Sequence, residues 1–350
     1  MGRFPRPVLL LLPTTVFILV LLIVADERSL WLCSSCCYAS DEVATAPSAA
    51  ATDGSQQHVL DGGPRNATIG KATMLYGQQN PVYERALQTH LQHADMHGYP
   101  VFILREKLLG RLWTKAAYVL SIILNELQKP TAERLQWLFW FDADTVLLNP
   151  YLPLEMFLPP SPEFDHISFM CGVDHNGLND GAFLIRINEY SLHLMAASLT
   201  VESFRPEVDL KYSVQSAEEH IISSHDKINP QQSNFTYSDG YARVPQRWFN
   251  AYMGPRTFAG EVKSNRQITG NSVHEGDLLV HFVGGATPEV KVKRMKKFLD
   301  AFKTTKEAWE IPANETGIER EVQEFWRMFG KGPGDQHGGR IKSDNESEDL

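Results

Sequence analysis

The feature that most constrains the fold is a regular exchange of short apolar runs and helical stretches between residues 71 and 141. Lys71–Tyr76 reads as a first strand ending at Gly77. Asn80 before Pro81 is an N-cap followed by proline at the first helical position, and the helix it opens runs to His97, where Gly98 stops it. Tyr99–Leu104 is a second strand, Leu112–Gln128 a helix with one broad apolar face, and Trp137–Phe141 a third strand. Strands alternating with helices of this length predict an α/β domain built on a parallel sheet with helices on both faces.

Ligands of such sheets gather outside the carboxyl ends of the strands. There, after Trp-Leu-Phe-Trp-Phe, stand Asp142-Ala143-Asp144. Two acids separated by one residue project to the same side of extended chain, where they can hold a hard divalent cation and leave positions open for phosphate oxygens. The plainer alternative is a solvated turn with acidic caps. Further along, Ile167–Val173 reads as a strand ending near Asp174 and His175. Asn179-Asp180-Gly181-Ala182 leads into the strand Phe183–Ile187, Glu189–Thr200 reads as a helix, and Gln215 stands at another helix start. The strand Leu278–Val280 ends in His281-Phe-Val-Gly284-Gly285. A neutral imidazole at a strand end can complete a metal site, while a glycine turn lets backbone N–H groups approach a diphosphate. Alone, His281 reads more readily as a hydrogen-bonded core residue, and the glycines and their order after the D-x-D bring the ligand reading level with it.

The start of the chain sets its expected compartment. Residues 7–25 carry no charge and are mostly Leu, Val and Ile. That length matches the roughly 20 apolar residues of a spanning helix better than a cleaved signal core. Arg3 and Arg6 precede it, so the positive-inside bias leaves residues 1–6 cytosolic and the body lumenal, a type II membrane protein. Residues 26–70 read as a stem, 71–330 as a single catalytic domain and 331–350 as a disordered acidic tail. The sequons Asn66-Ala-Thr, Asn234-Phe-Thr, Asn314-Glu-Thr and Asn345-Glu-Ser agree with a lumenal glycoprotein. Cys33, Cys36 and Cys37 offer intermolecular disulfides for a homo- or hetero-oligomer, and Cys171 reads as buried. A formal charge of −9 argues against a nucleic-acid partner.

Six pieces occur in one order: Trp113-Thr-Lys115, Phe139–Asp144, Asn179-Asp-Gly-Ala-Phe-Leu-Ile-Arg, Gln215-Ser-Ala, Val244-Pro-Gln-Arg-Trp-Phe-Asn-Ala-Tyr and His281-Phe-Val-Gly-Gly. Together they resemble glycosyltransferase family 34, the fungal Golgi α-galactosyl- and α-mannosyltransferases and plant xyloglucan xylosyltransferases. The resemblance implies a GT-A-like fold behind a membrane anchor in the Golgi lumen, Mn2+, a nucleotide-sugar donor (UDP-galactose or GDP-mannose), a glycan acceptor such as an N- or O-linked mannan, and retention of configuration. It makes Asp142, Asp144 and His281 metal ligands, with Lys115 near the nucleotide. Asn179, Asp180 and Gly181 match the segment beside the donor sugar, and Gln215 flanks the reaction centre. The chain departs from plant members in having Ser213 and Val214 where an acidic pair precedes the glutamine, and in lacking a Lys just after Gly285. Lys291 or Lys293 is the replacement within longer reach.

For retention, Asp180 is the carboxylate best placed to act as a nucleophile, with Glu218 or Glu219 in reserve. The missing acidic pair favours front-face attack, with Gln215 orienting the sugar. Trp248, Phe249 and Tyr252 suit either acceptor stacking or the core. Lys291, Lys293, Arg294, Lys296 and Lys297 form a basic helix face that is solvated by default and able to steer an anionic donor. The competing functions are a catalytically silent nucleotide-sugar-binding or scaffold subunit, and a metal-dependent phosphohydrolase.

Overall fold

The computed structural model describes residues 68–110, 112–228, 234–254, 271–284 and 287–331. The apolar segment 7–25, the stem cysteines, Gly285 and the acidic tail from residue 332 lie outside them. Among the described residues no helix is long and apolar enough to cross a membrane.

Strand β1 (Ile69–Met74), helix α1 (Pro81–His97), β2 (Val101–Leu104), α2 (Trp113–Leu127) and β3 (Trp137–Phe141) follow the alternation in the sequence, and the three strands are parallel. The helix signals act as expected. Asn80 Oδ1 accepts from the Val82 N–H at 3.0 Å, and Gly98 closes α1 in the left-handed region at φ 72°. Strand β4 (Thr145–Leu147) then leaves this sheet.

The second half corrects the expectation of an all-parallel sheet. Strand β5 (Phe169–Asp174) and β6 (Gly177–Arg186) form an antiparallel hairpin, and β6 also lies antiparallel to β3. Only His175 and Asn176 separate β5 from β6, enough for a reverse turn but not for the helical crossover that parallel pairing requires. Asn179–Gly181 therefore belong to a strand instead of leading into one. After α3 (Glu189–Phe204) and α4 (Val214–Ser223), β7 (Tyr241–Arg243) completes the mixed sheet in the order β2-β1-β3-β6-β5-β7. A smaller sheet pairs β4 with β9 (Leu279–His281), and β9 with β8 (Ala251–Tyr252). The chain continues through α5 (Pro288–Trp309), the single turn α6 (Ala313–Thr316) and α7 (Ile318–Met328).

The five residues of β3 are all buried, which explains why a Trp-Leu-Phe-Trp-Phe run reads as continuous rather than alternating. Trp137, Phe139 and Phe141 pack on one layer with Leu87 of α1, Trp248, Phe249 and Trp326 of α7. Leu138 and Trp140 pack on the other, with Val119 of α2, Leu194 of α3 and Ala217 of α4. Trp248 and Phe249 are thus core residues, not sugar platforms. A third cluster joins Val146 and Val280 of the small sheet to Met295, Phe298 and Leu299, the apolar side of the basic helix.

A cluster of polar groups sits deep in this core. Lys71 of β1 is fully buried, its Nζ 3.1 Å from the His90 carbonyl oxygen and 3.0 Å from His93 Nδ1. Burial holds its amine well below the usual lysine range, and burial likewise lowers His90 and His93. A lysine whose pKa is lower in the folded chain than in the unfolded one makes folding release protons, so stability rises with pH between the two values, up to the unfolded pKa of about 10.4. The slope is at most about 1.4 kcal/mol per pH unit. In denaturant titrations between pH 7 and 10 the wild-type chain should therefore gain stability relative to Lys71→Met. Parallel pH profiles for the two chains would show that Lys71 stays charged in the fold.

Candidate active site

The two sheets meet where β3 hands the chain to β4, and the Asp142-Ala143-Asp144 link spans that junction. The Asp142 N–H donates to the Gly181 carbonyl at 2.8 Å, extending the β3–β6 ladder by one step. The Phe282 N–H donates to the Asp144 carbonyl at 3.0 Å, extending the β4–β9 ladder in the same way. The acids are therefore fixed by backbone on both sides. His281, the last residue of β9, pairs with Thr145, so its ring faces the same junction. One ligand atom each from Asp142, Asp144 and His281 lie within 4.8 Å of one another.

The hydrogen bonds around His281 settle which nitrogen faces the acids. Asn250 Nδ2 donates to Asn179 Oδ1 at 2.7 Å and to the Asn179 carbonyl at 3.1 Å. Its Oδ1 is therefore the atom that meets His281 Nδ1 at 2.7 Å, so that Nδ1 carries a proton and donates. His281 Nε2 then stands 3.1 Å from Asp144 Oδ1. In a neutral ring that contact sets a nitrogen lone pair against a carboxylate oxygen. It is relieved by protonating the ring or by a cation between the two atoms. Two carboxylates and an imidazole oriented through its other nitrogen are a donor set suited to Mn2+ or a similar divalent ion, so the residues present fit the implied metal.

Lys115, in the first turn of α2, ties this junction to the adjoining strand. Its Nζ is 2.9 Å from the Asp180 carbonyl oxygen, 3.0 Å from Asp142 Oδ1 and 3.1 Å from Asp180 Oδ1. All three ammonium N–H groups are engaged inside the protein, so Lys115 positions the acids and has no donor left for a nucleotide. Burial alone would lower its pKa, but Asp142 and Asp180 outweigh burial and raise it. Burial raises the Asp180 carboxyl, against the pull of Lys115. Burial would likewise raise Asp144, yet His281 and Lys291 together hold it well below the carboxylate range. The Asp142 oxygen also accepts from Trp140 Nε1 at 2.8 Å.

The other expected residues converge on the same place. Gln215 Oε1, at the start of α4, accepts from the Asp180 N–H at 3.4 Å. Asn179 Nδ2 donates to Asp174 Oδ2 at 2.9 Å and bonds the Tyr252 hydroxyl, which itself donates to Asp174. Gly284 is exposed, with φ 64°, three residues beyond His281. Of the two helix lysines, Lys291 reaches the site, 2.5 Å from Asp144 Oδ2. Cys171 is buried and donates through its thiol to the Asn179 carbonyl at 2.9 Å. Two contributors, Asn250 and Trp140, had no role in the site from sequence alone, and Gly181 had only a place beside the donor sugar. Asn250 orients His281, although it stands inside a motif singled out for its aromatics. Trp140 bonds Asp142 in addition to packing. Gly181 is required by space, since a Cβ there would lie 2.1 Å from His281 Cε1.

Comparison with known proteins follows this geometry. Residues 159–289 match the model of the galactosyl transferase GMA12/MNN10 family. Two relatives from Schizosaccharomyces pombe are similar. One is an uncharacterized alpha-1,2-galactosyltransferase, 26% identical over 231 residues, 55% of this chain and 60% of the relative. The other is a probable alpha-1,2-galactosyltransferase, 27% identical over 195 residues, 46% of this chain and 51% of the relative. The chain thus spans between half and two thirds of the length of these relatives. The resemblance to glycosyltransferase family 34 is thereby shown. The matched stretch holds Asn179, Asp180, Gln215 and His281, while Asp142 and Asp144 lie upstream of it. Among solved structures, the chain is similar to a glycosyltransferase involved in glycosylation of the major capsid of PBCV-1 (14% identity, 67% of this chain and 98% of that one, TM-score 0.45). It is also similar to the galactosyltransferase LgtC in complex with donor and acceptor sugar analogs (12% identity, 71% and 99%, TM-score 0.39).

The contact between Gly181 and the His281 ring gives a direct test of the junction. Gly181→Ala should lower stability by about 1–3 kcal/mol, several degrees in Tm, because the ring must leave Asn250. Adding His281→Ala should recover part of that loss, since the clash then has no partner. Equal Tm values for wild type and Gly181→Ala would show that the ring moves aside at no cost.

Proposed function

We propose that this chain is a metal-dependent retaining glycosyltransferase of GT-A type that transfers galactose from UDP-galactose to a glycan acceptor, acting in the Golgi lumen behind the 7–25 anchor. The observation that carries this reading is the convergence of Asp142, Asp144 and His281 at the junction of the two sheets, beside Asp180 and Gln215. The names of the relatives favour galactose over mannose, and the family favours the compartment.

A divalent ion bound by the three ligands would stabilise the charge that builds on the departing nucleoside diphosphate. The residues of the chain prepare that event. Lys115 fixes Asp142 and Asp180 in one arrangement before any ligand arrives, so these two acids need not move on binding. Asn250 keeps the lone pair of His281 Nε2 aimed at the junction. Asn179 and Asp180 present polar groups on the β6 side, where donor hydroxyls would be held, and Gln215 sits against Asp180 to orient the sugar.

The three carboxylates considered as nucleophiles are each otherwise engaged or out of reach. Asp180 is paired to Lys115 and has only 9% of its side chain exposed. Glu218 is fully buried, and burial raises its pKa well above the usual glutamate range, which disfavours the ionised form a nucleophile needs. Glu219 accepts from the Leu178 N–H at 3.4 Å and fills the space beside Gly177. These contacts support front-face attack, in which the acceptor hydroxyl adds on the side the diphosphate leaves and gives up its proton toward the departing phosphate.

Incubating the full chain with Mn2+, an α-mannoside acceptor and UDP-galactose should give a galactosylated product with the α configuration. Asp142→Asn/Asp144→Asn should reduce the rate at least a hundredfold. Gln215→Ala should lower kcat with little change in KM, as expected of a group that acts on the reacting sugar. Transfer from GDP-mannose in place of UDP-galactose would correct the donor. Mn2+-dependent binding of both nucleotides without transfer would make the chain a nucleotide-sugar-binding or scaffold subunit and overturn the proposal.

A further inference from the structure

One member of the basic face of α5 turns into the site. Lys291 lies in the first turn of that helix, with 26% of its side chain exposed. Its Nζ is bonded to Asp144 Oδ2, while Oδ1 of the same carboxylate faces His281 Nε2. Both oxygens of the second D-x-D acid are therefore taken within the protein. One of the two partners is a full positive charge standing where a cation would share that carboxylate. The helix that carries Lys291 is anchored by Met295, Phe298 and Leu299 in the core of the small sheet, so only the lysine side chain is free to change place.

We propose that Lys291 is an internal counter-ion of the D-x-D acids, holding the place of the divalent ion and making its binding depend on the arrival of a diphosphate. This rests on the metal site of the proposed function. A dication added alone meets an ammonium already bonded to Asp144, and the two positive charges repel at short range. A diphosphate supplies the anionic oxygens to which the lysine can turn on its four-carbon stem, which frees Asp144 Oδ2. Each ligand then improves the affinity for the other by the same factor, as linkage requires. The neighbouring lysines do not do this. Lys293 is exposed, and Lys296 pairs at 2.7 Å with Asp300 on the outer side of α5.

The effects on metal and nucleotide have opposite signs, which separates this role from a structural one. Mn2+ binding to the full chain can be followed by loss of the free-ion EPR signal, with and without saturating UDP, and UDP binding by calorimetry at saturating Mn2+. In Lys291→Met, Mn2+ alone should bind about tenfold more tightly than to wild type, while UDP should bind about tenfold more weakly. Lys291→Gln should behave the same way and guards against a defect peculiar to one variant. Lys291→Arg keeps the charge and should stay near wild type, and Lys293→Met should change neither affinity.

Unchanged or weaker Mn2+ binding by Lys291→Met in the absence of nucleotide, with binding in wild type abolished by Asp144→Asn, would overturn this inference alone. No Mn2+ binding by the wild-type chain, with or without UDP, would overturn it together with the metal site.

Discussion

The ammonium of Lys115 is the contact on which the rest of the site depends. It joins the first turn of α2 to the end of β3 through Asp142, and to the middle of β6 through both the side chain and the carbonyl of Asp180. These elements belong to the main sheet and one of the layers covering it, so a single buried cation locks together three pieces of backbone. Without it, two carboxylates, one buried and one partly exposed, would face each other unpaired, a costlier arrangement than either acid alone. Its indole neighbour adds to this. Trp140 donates to Asp142 and lies under Lys115, with the Nζ 5.5 Å from its ring centroid. A residue of the core strand is thus also part of the polar site.

From that fixed point the second half of the site is positioned by close packing. Gly181 lets the His281 ring lie against β6, and Asn250 bridges that ring to Asn179. The small sheet is thereby held to the large one through an imidazole, an amide and a missing side chain. Backbone hydrogen bonds from Asp142 and Phe282 continue each ladder up to the D-x-D link without joining the two sheets across it. The link therefore spans a seam between two regular structures, where backbone is firmly held while side chains still reach an open face. The same placement of polar groups at a sheet edge makes ligand sites of strand ends in open α/β folds generally.

Much of this was legible in the sequence because its signals are local. The Asn80-Pro81 start and Gly98 stop of α1, the five residues of β3, and the D-x-D at its end each depend on a few adjacent residues. His281 is singled out by the glycines that follow it and by its place in chain order after the D-x-D. The antiparallel β6 was less legible. Its apolar run looks the same in either direction, and only the two-residue gap at His175-Asn176 gives the direction away. The roles of Asn250 and Gly181 depend on atoms about 30 and 100 positions distant in sequence, and no local pattern states such a pairing. Helix α7 differs from these, because its signal is local: Ile318, Val322, Phe325 and Trp326 fall at i, i+4, i+7 and i+8, an apolar stripe that packs into the core.

The charges of the site show how such a cluster folds before any ligand is present. Asp142, Asp144 and Asp180 bring three carboxylates together, against the ammonium groups of Lys115 and Lys291 and the ring of His281. Small metal-organised domains leave their ligand charges unbalanced until the ion binds, and stay unfolded without it. Here the balance is internal and close to complete, so the junction forms from protein groups alone. Glu218 fits the same scheme from the other side. It is fully buried, neither of its oxygens has a hydrogen-bond partner among the described residues, and burial raises its pKa well above the usual glutamate range. The three carboxylates already outnumber the two lysines, and burial disfavours a fourth negative charge at that depth. The sheet junction thus holds enough carboxylate to bind a divalent ion while remaining stable in its absence.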